Sequence, residues 1–277
     1  MITSRSNSLV RLARSLRDRD AREREGLYLV EGVRLVEEAL HAGLTPRHTL
    51  VCVAQLGATE RGRDLLHRLS ESEAGLVEVT PEVLSAAADT MTPQGVAVLL
   101  GLPARGGLPA VRRLALVLDG VQDPGNAGTV LRTAAAGGAD CVVTTPGTVD
   151  LFGPKVLRAG MGAHFRLPLA TGVAWSELQP WLRGYQLLLA VPRGGTPHDR
   201  VDWTQSSVLV IGGEAAGAGR EVEALIPKPT LVSIGMADWV ESLNAAAAAA
   251  VILFEARRQW TASNGPAPAA RRRPDGI

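Results

Sequence analysis

The chain alternates short apolar runs with segments of helical period. Residues 3–25 place Leu9, Leu12 and Leu16 at helical spacing among arginines, which predicts a basic amphipathic helix that opens the chain. Strand-like and helix-like segments then alternate over residues 26–101, which predicts a compact α/β unit. In order, these segments are LYLVEG, VRLVEEALHAG, HTLVCVA, RGRDLLHRLSES, GLVEVT, PEVLSAAAD and GVAVLLGL.

A second α/β run is predicted over residues 114–260, after a linker. The linker, residues 102–113, has two prolines, two glycines and no apolar period. The strands that follow are continuous apolar runs, typical of a parallel sheet covered on both faces. They are LALVLDG, CVVTT, YQLLLAVP, SVLVIGG and TLVSIGM, with helices predicted at 127–136, around PKVLRAGMGA, and at 244–260. The Pro/Ala/Arg-rich residues 261–277 are expected to be disordered.

Composition places the chain among globular proteins and leaves its partner open. A chain of 277 residues that is 46% hydrophobic can bury a full core, which excludes a disordered or collagenous protein. The net charge of +1 gives by itself no reason to expect nucleic acid. The charge is segregated, however: residues 1–24 carry seven arginines against three acidic residues, and residues 261–277 carry three against one. An RNA contact is therefore expected at the two ends.

Cysteine use and the absence of apolar targeting segments favour a cytoplasmic protein. Cys52 and Cys141 lie far apart and outside any CxxC pattern, so a disulfide framework is not expected. The charged N-terminus lacks the apolar run of a signal peptide, and no stretch approaches the ~20 apolar residues that span a bilayer.

The common catalytic motifs are missing from the sequence. It contains no GxGxxG after a strand, no GxxxxGK[ST], no GxSxG and no HExxH. The five histidines are scattered, so no metal site is expected.

Three polar segments follow predicted strands in the second half, where ligands of open α/β sheets bind. In LDGVQDPGNAGTVLRTAAAG, Asn126 lies at a helix start and Arg132 follows it. IGGEAAGAGREV places Glu214 among glycines, and Ser242 and Asn244 precede a run of six alanines. Each segment alone is explained equally well by helix capping, a solvated arginine or a turn. Their occurrence together, in this order, is not.

The three segments resemble the three motifs of the SpoU/TrmH family of RNA ribose 2'-O-methyltransferases, in the SPOUT superfamily. The matching patterns are NxGxxxR, then GxE with a downstream glycine, then SLN before a helix that ends in ExxRQ. RAGMGAHFRLPL resembles the family's connecting segment, and residues from LYLVEG to GVAVLL resemble the substrate-binding domain of its 23S rRNA members. Four positions depart from the family's usual residues: Gly160, Gly213, Ala215 and Gly235.

The resemblance implies a fold, a cofactor and an assembly. The fold is a small N-terminal α/β RNA-binding domain followed by a parallel-sheet α/β domain with a deep trefoil knot, a topology that chains rarely adopt. The cofactor is S-adenosylmethionine, held in the knot mainly by backbone groups, and the protein is a homodimer. The implied cofactor-binding residues, in loops that include Ala190 to Arg193, are Ala190, Val191, Pro192, Gly212, Gly213, Glu214, Ile234, Gly235, Met236, Ser242, Leu243 and Asn244.

The resemblance also implies the catalytic residues Asn126, Arg132, Glu214, Ser242 and Asn244. Family accounts give the arginine a part in deprotonation, but a guanidinium keeps its proton at neutral pH. Arg132 is better suited to hold a phosphate and polarise the 2'-hydroxyl. The two asparagines can orient that hydroxyl and the arginine, Ser242 can contact substrate or cofactor, and Glu214 can orient Arg132 or the substrate.

Methylation of a ribose 2'-hydroxyl in 23S rRNA is the favoured function. The alternatives are the same chemistry on tRNA, whose family enzymes usually lack the front domain, and a non-catalytic RNA-binding protein of ribosome assembly. A housekeeping role and an antibiotic-resistance role fit the sequence equally. The first domain would bind folded RNA or, alternatively, serve dimerisation or stability. The RNA-binding candidates are Arg5, Arg11, Arg14, Arg17 and Arg34.

Overall fold

The structure is a computed structural model of the chain, and it describes residues 1–71, 75–104, 106–213, 217–224 and 228–264. The chain forms two compact units. One comprises Met1–Gly106 together with Val149–Arg166, and the other comprises Gly107–Thr148 and Leu167–Ile277. None of the described helices is both long and apolar enough to cross a membrane.

Helices and strands alternate up to residue 106, as the sequence predicts. The elements are α1 (Ser8–Ser15), α2 (Arg19–Glu25), β1 (Leu27–Glu31), α3 (Val33–His41), β2 (His48–Val51), α4 (Val53–Leu56), α5 (Glu60–Ser70), β3 (Leu76–Glu78), α6 (Pro81–Ala87) and β4 (Val96–Gly101). The strands form a sheet in the order β1-β4-β2-β3, with β4 antiparallel to both neighbours and β2 parallel to β3. On this sheet α1 buries Val10, Ala13 and Leu16.

Two local predictions in this unit are wrong in detail. The single helix predicted over residues 3–25 is two helices, because the Asp18 side chain accepts hydrogen bonds from the backbone N–H groups of Asp20 and Ala21 and starts α2. The strand predicted for HTLVCVA ends at Val51, because the Cys52 carbonyl accepts the first hydrogen bonds of α4. In both places, a local hydrogen bond to the backbone N–H groups of a helix start overrides the apolar pattern.

The remaining elements begin after the predicted linker. They are β5 (Leu114–Asp119), α7 (Pro124–Gly137), β6 (Cys141–Thr144), α8 (Pro154–Gly160), β7 (Leu169–Ala170), α9 (Trp175–Trp181), β8 (Gln186–Ala190), β9 (Thr196–Pro197), β10 (Ser207–Gly212), α10 (Arg220–Glu223), β11 (Thr230–Ser233) and α11 (Ala245–Asn264). Short 3-10 turns lie at Ala163–Phe165 and His198–Arg200. The tail expected at 261–277 begins as the last turn of α11, and residues 265–277 lie outside the described part of the chain.

A parallel sheet organises the second unit, in the order β7-β6-β5-β10-β8-β11-β9. Every pair in it is parallel, and β5 and β10 are buried along almost their whole length. The α/β fold class with a parallel sheet is therefore confirmed, whereas the knot stays a prediction. Because all strands run the same way, the carboxyl ends of β5, β8, β10 and β11 meet at one edge.

Residues 149–166 leave the second unit and pack within the first. The buried guanidinium of Arg22 donates to Asp150 and to the Leu16 carbonyl. Arg158 on α8 bridges the carboxylates of Glu31 and Asp89 at 3.0 and 2.9 Å. These ion pairs join residues that lie more than 60 positions apart. The expected domains, 26–101 and 114–260, do not include this return of the chain.

Two residues of this segment, Phe152 and His164, form an aromatic cluster with Tyr28 of β1. The Phe152 ring lies 5.0 Å from Tyr28 and 6.0 Å from the buried imidazole of His164. His164 Nε2 donates to the Leu151 carbonyl at 2.8 Å, since a carbonyl can only accept. Its Nδ1 is buried with no hydrogen-bond partner in the described chain. A Cβ at Gly160 would clash with this ring, so the position has room only for glycine beside His164.

The buried imidazole makes the stability of the protein sensitive to acid. Burial lowers the pKa of His164 to about 4, although the hydrogen bond that its ring donates to the Leu151 carbonyl and the charge of Asp150 both raise it. The unfolded chain takes up this proton near pH 6.5 and the folded chain only near pH 4, so stability should fall by up to roughly 3 kcal/mol between those values. Urea unfolding of wild type and His164→Gln between pH 7.5 and 4.5 measures this, and the variant should lose less stability.

The matched control is His67→Gln, because the His67 side chain is exposed. It should follow the wild-type acid curve. Parallel curves for wild type and His164→Gln would contradict the assignment.

Candidate functional site

A pocket of about 600 Å³ opens at the carboxyl edge of the parallel sheet. This volume lies within the range of small-molecule sites. Its walls come from the ends of β8, β10 and β11, the loops that follow them, and the first turns of α11. The lining residues are Ala190, Val191, Pro192, Ile211, Gly212, Gly213, Gly217, Val232, Ile234, Met236, Ser242, Leu243, Asn244, Ala245, Ala248 and Ile252.

The pocket gathers the predicted cofactor residues from three separate loops. Glu214 lies outside the described residues, and of the other eleven all but Gly235 line the pocket. One wall of the pocket, made by Ala245, Ala248 and Ile252 of α11, was not predicted from the sequence. Their spacing of three and four residues places them on one face of α11, a signal that the alanine run already contained.

Glycines at the end of β10 allow the backbone to pack closely there. A Cβ at Gly212 would clash with the backbone of Gly217 and Ala218, and a Cβ at Gly213 would clash with the Gly120 carbonyl oxygen. The loop after β5 therefore leaves no room for a side chain at Gly213. A Cβ at Gly235 would meet no described atom within 4 Å, and Ala215 lies outside the described residues.

The structure joins two of the predicted catalytic residues directly. Asn244 Nδ2 donates to Asn126 Oδ1 at 2.8 Å, while Asn244 Oδ1 accepts from the N–H groups of Ala246 and Ala247 at the start of α11. The amide of Asn244 is thus a helix cap and a link to α7 at once. Asn126 is not a cap, because Asp123 caps α7 and accepts from the Asn126 N–H at 2.7 Å.

The remaining catalytic candidates have different surroundings. Ser242 is exposed and lines the pocket. Arg132 is exposed on α7, does not line the pocket, and has no hydrogen bond or ion pair to any described residue. Its charge is therefore available to a partner molecule. The structure joins Asn126 to Asn244 by a hydrogen bond and places Ser242 and Asn244 in the pocket wall, whereas Arg132 forms no hydrogen bond or ion pair with these residues and lies six positions beyond Asn126 on α7.

The buried carboxylate of Asp119, which was not predicted from the sequence, holds loops together at the same edge of the sheet. Asp119, the last residue of β5, accepts from Thr145 Oγ1 at 2.5 Å, Trp175 Nε1 at 3.2 Å and the Gly219 N–H at 2.6 Å. These bonds tie the loops after β6 and β10 to the end of β5. The sequence signal that could have identified Asp119 is a charged residue at the end of the apolar run LALVLD.

The RNA-binding candidates lie in the first unit, and the structure separates them into two kinds. Arg17 donates to the Ala88 carbonyl and lies 3.9 Å from Asp89, so its charge is already engaged. Arg5 is exposed and interacts electrostatically with Glu82. Those that are exposed and form no hydrogen bond or ion pair within the described chain are Arg11, Arg14 and Arg34.

Comparison with known proteins decides the family. Residues 113–254 match the model of the SpoU rRNA Methylase family, and residues 7–98 match the MRM3-like substrate binding domain. The chain belongs to the SpoU rRNA methylase family. It is therefore an RNA methyltransferase, and the resemblance drawn from the three motifs is confirmed.

Individual SpoU relatives are similar over nearly the whole chain. An uncharacterised tRNA/rRNA methyltransferase of Synechocystis is 37% identical over 95% of this chain and 95% of its own length. The 23S rRNA (guanosine(2553)-2'-O)-methyltransferase RlmP of Bacillus subtilis is 32% identical over 92% and 98%. The crystal structure of the SpoU methyltransferase AviRb of Streptomyces viridochromogenes with AdoMet is 28% identical, with a TM-score of 0.81 over 92% of this chain and 98% of that one.

The link between Asn126 and Asn244 should appear as an energetic coupling. Asn244→Ala should cost about 1–2 kcal/mol, because α11 loses its cap and Asn126 loses a donor. In a double-mutant cycle with Asn126→Ala, urea unfolding should give a coupling free energy of roughly 1 kcal/mol. As a control, Asn244→Ala should be additive with Asn7→Ala, which removes the cap of α1 in the other unit. Additivity in both cycles would refute the link.

Proposed function

We propose that this SpoU enzyme transfers the methyl group of S-adenosylmethionine to a ribose 2'-hydroxyl in 23S rRNA. The observation that carries the proposal is that a pocket of glycines and apolar residues lies beside Ser242 and the Asn126–Asn244 pair at one edge of the sheet. The Bacillus subtilis relative supports the substrate, because by its name it is a 23S rRNA 2'-O-methyltransferase.

The pocket fits the cofactor of the family. Apart from Ser242 and Asn244, its lining residues are glycines and apolar residues, and the close packing at Gly212 leaves no room for a side chain there. The residues that would hold the cofactor are those at 190–192, 212–213, 234–236 and 242–244. When bound, S-adenosylmethionine supplies an electrophilic methyl group on a sulfonium.

The side chains beside the pocket are suited to orienting a hydroxyl group. Because the α11 N–H groups fix Asn244 Oδ1, its Nδ2 is held towards Asn126 and the pair is preorganised. Such a pair can donate to and accept from a ribose 2'-hydroxyl and so hold its oxygen in line with the transferred methyl. Arg132 would grip the nucleotide's phosphate and polarise the hydroxyl. The expected role of Glu214, in orienting Arg132, stays a prediction.

Removal of the Arg132 guanidinium should separate catalysis from cofactor binding. Arg132→Ala should lower methyl transfer to unmodified 23S rRNA by about 100-fold or more, the loss expected when a preorganised donor is removed. Its affinity for S-adenosylmethionine, measured by calorimetry, should stay within about twofold, because Arg132 does not line the pocket. Transfer is measured with a tritiated methyl group.

The control for this experiment is Arg183→Ala, which removes an exposed arginine between α9 and β8, at the opposite edge of the sheet. It should retain wild-type turnover. Retained turnover in Arg132→Ala would eliminate the role given to Arg132.

RNA binding by the first unit is the second part of the proposal. The match of residues 7–98 to a substrate-binding domain supports it, as do the unpaired Arg11 and Arg14 on the exposed face of α1. The apolar face of the same helix is docked through Val10, Ala13 and Leu16. The helix therefore combines a packing face with a face available to phosphates.

The salt dependence of RNA binding should report these two arginines. Arg11→Gln/Arg14→Gln should reduce the slope of log K against log salt by roughly one to two, because fewer phosphates are neutralised. The control Arg19→Gln/Arg24→Gln removes the same charge from side chains paired with Glu23 and Glu25, and should change the slope less. Equal slopes for both double variants in gel-shift titrations would contradict the proposal. Deleting residues 1–25 instead would expose the apolar surface that Val10, Ala13 and Leu16 cover.

We also propose a homodimer that works in the cytoplasm. On α11, Val251 and Phe254 lie three residues apart and are 40% and 49% exposed, although the helix packs against α7. Exposed apolar side chains grouped on one helix face support a subunit contact. The two buried free thiols, Cys52 and Cys141, suit a reducing compartment.

A further inference from the structure

A tryptophan stands at the tip of a turn beside the pocket. The Val240 N–H donates to the Ala237 carbonyl at 3.0 Å, which closes a turn with Asp238 and Trp239 at its centre. Trp239 is 85% exposed. A side chain of this size is usually covered in a folded protein, so an exposed one at a turn tip needs an explanation.

The side chain of Arg193 holds the backbone of this turn. Arg193 Nη2 donates to the carbonyls of Ala237, Asp238 and Val240 at 3.4, 2.8 and 2.7 Å. These carbonyls lie on both sides of Trp239, so the guanidinium fixes the backbone that carries the indole. The backbone at Trp239 is therefore fixed before a ligand binds, so binding costs little conformational entropy in this turn.

The clamped tip borders the predicted catalytic site. Pro192 and Met236 line the pocket, and Arg193 and Ala237 are the residues that directly follow them. Ser242 lies three residues beyond Trp239, which limits the separation of their Cα atoms to about 10 Å. A nucleotide bound at Trp239 is thus the nucleotide that carries the reacting ribose or one next to it.

The charges beside Trp239 define what can bind there. Asp238 and Glu241 are exposed and form no ion pair with any described residue. They would repel a phosphate, and a protein surface that covered the tip would have to desolvate two unpaired carboxylates. A flat nucleobase can stack on one face of the indole and leave both carboxylates in water.

We propose that Trp239 is a stacking platform for a nucleobase of the RNA substrate at or next to the methylated nucleotide, and that Arg193 is the positioning residue that holds it. The inference rests on the proposed function and names a specificity-determining residue for it. Stacking on aromatic side chains is how unpaired RNA bases are commonly recognised.

The test is the steady-state kinetics of variants on unmodified 23S rRNA transcribed in vitro. Trp239→Ala should raise the KM for RNA about tenfold or more, the loss expected for one stacked base, with kcat less affected. Trp239→Phe, which retains an aromatic face, should recover most of the loss. Arg193→Ala should move KM in the same direction as Trp239→Ala. Arg183→Ala, which removes an exposed side chain at the opposite edge of the sheet, is the control and should match wild type.

If the wild type methylates the transcript, the proposed function stands, and three results would then overturn only the inference about Trp239. These are an unchanged KM in Trp239→Ala, a parallel loss of S-adenosylmethionine affinity in calorimetry, and a changed oligomeric state in light scattering. The last would mean that a second copy of the chain covers the tip. A wild-type protein that binds S-adenosylmethionine and methylates no 23S rRNA would overturn the proposed function, and the inference with it.

Discussion

The second unit depends on one amide side chain, that of Asn244. The first turn of a helix has N–H groups that no carbonyl of the helix can reach, and Asn244 Oδ1 satisfies two of them in α11. Its Nδ2 is the donor that reaches α7. Aspartate could cap the helix but has no N–H to donate, and serine is shorter by one atom. The position where the pocket, α7 and α11 meet is therefore suited to asparagine for two independent reasons.

The site around this amide is lined mainly by glycines and apolar residues, and the parallel sheet brings them together. The loops that follow parallel strands leave the sheet at one edge, and three of those loops reach the pocket. Such a wall binds a ligand by shape, while the side chains that differ in chemistry, Ser242, Asn126 and Asn244, stand at its margin. The buried Asp119 keeps neighbouring loops in place without entering the pocket.

Features with a local signal could be predicted from the sequence, and features made by distant residues could not. The strands of the parallel sheet are apolar runs, and the pocket residues follow them directly, so both were accessible. The pairing of Arg22 with Asp150 joins residues 128 positions apart and leaves no trace in any window of sequence. The same holds for the bonds from Arg193 to the Trp239 turn. The break at Asp18 was locally encoded, but the charged run around it concealed the cap.

The return of residues 149–166 to the first unit also constrains how the protein is made. Domains generally fold in the order of their synthesis. Here Arg22 lacks its carboxylate partner and Tyr28 lacks its neighbouring ring until Asp150 and Phe152 have emerged from the ribosome, well after β5, α7 and β6 of the other unit. The first unit to be started is therefore completed only after the second has begun, and the two units mature as interleaved stages of one synthesis.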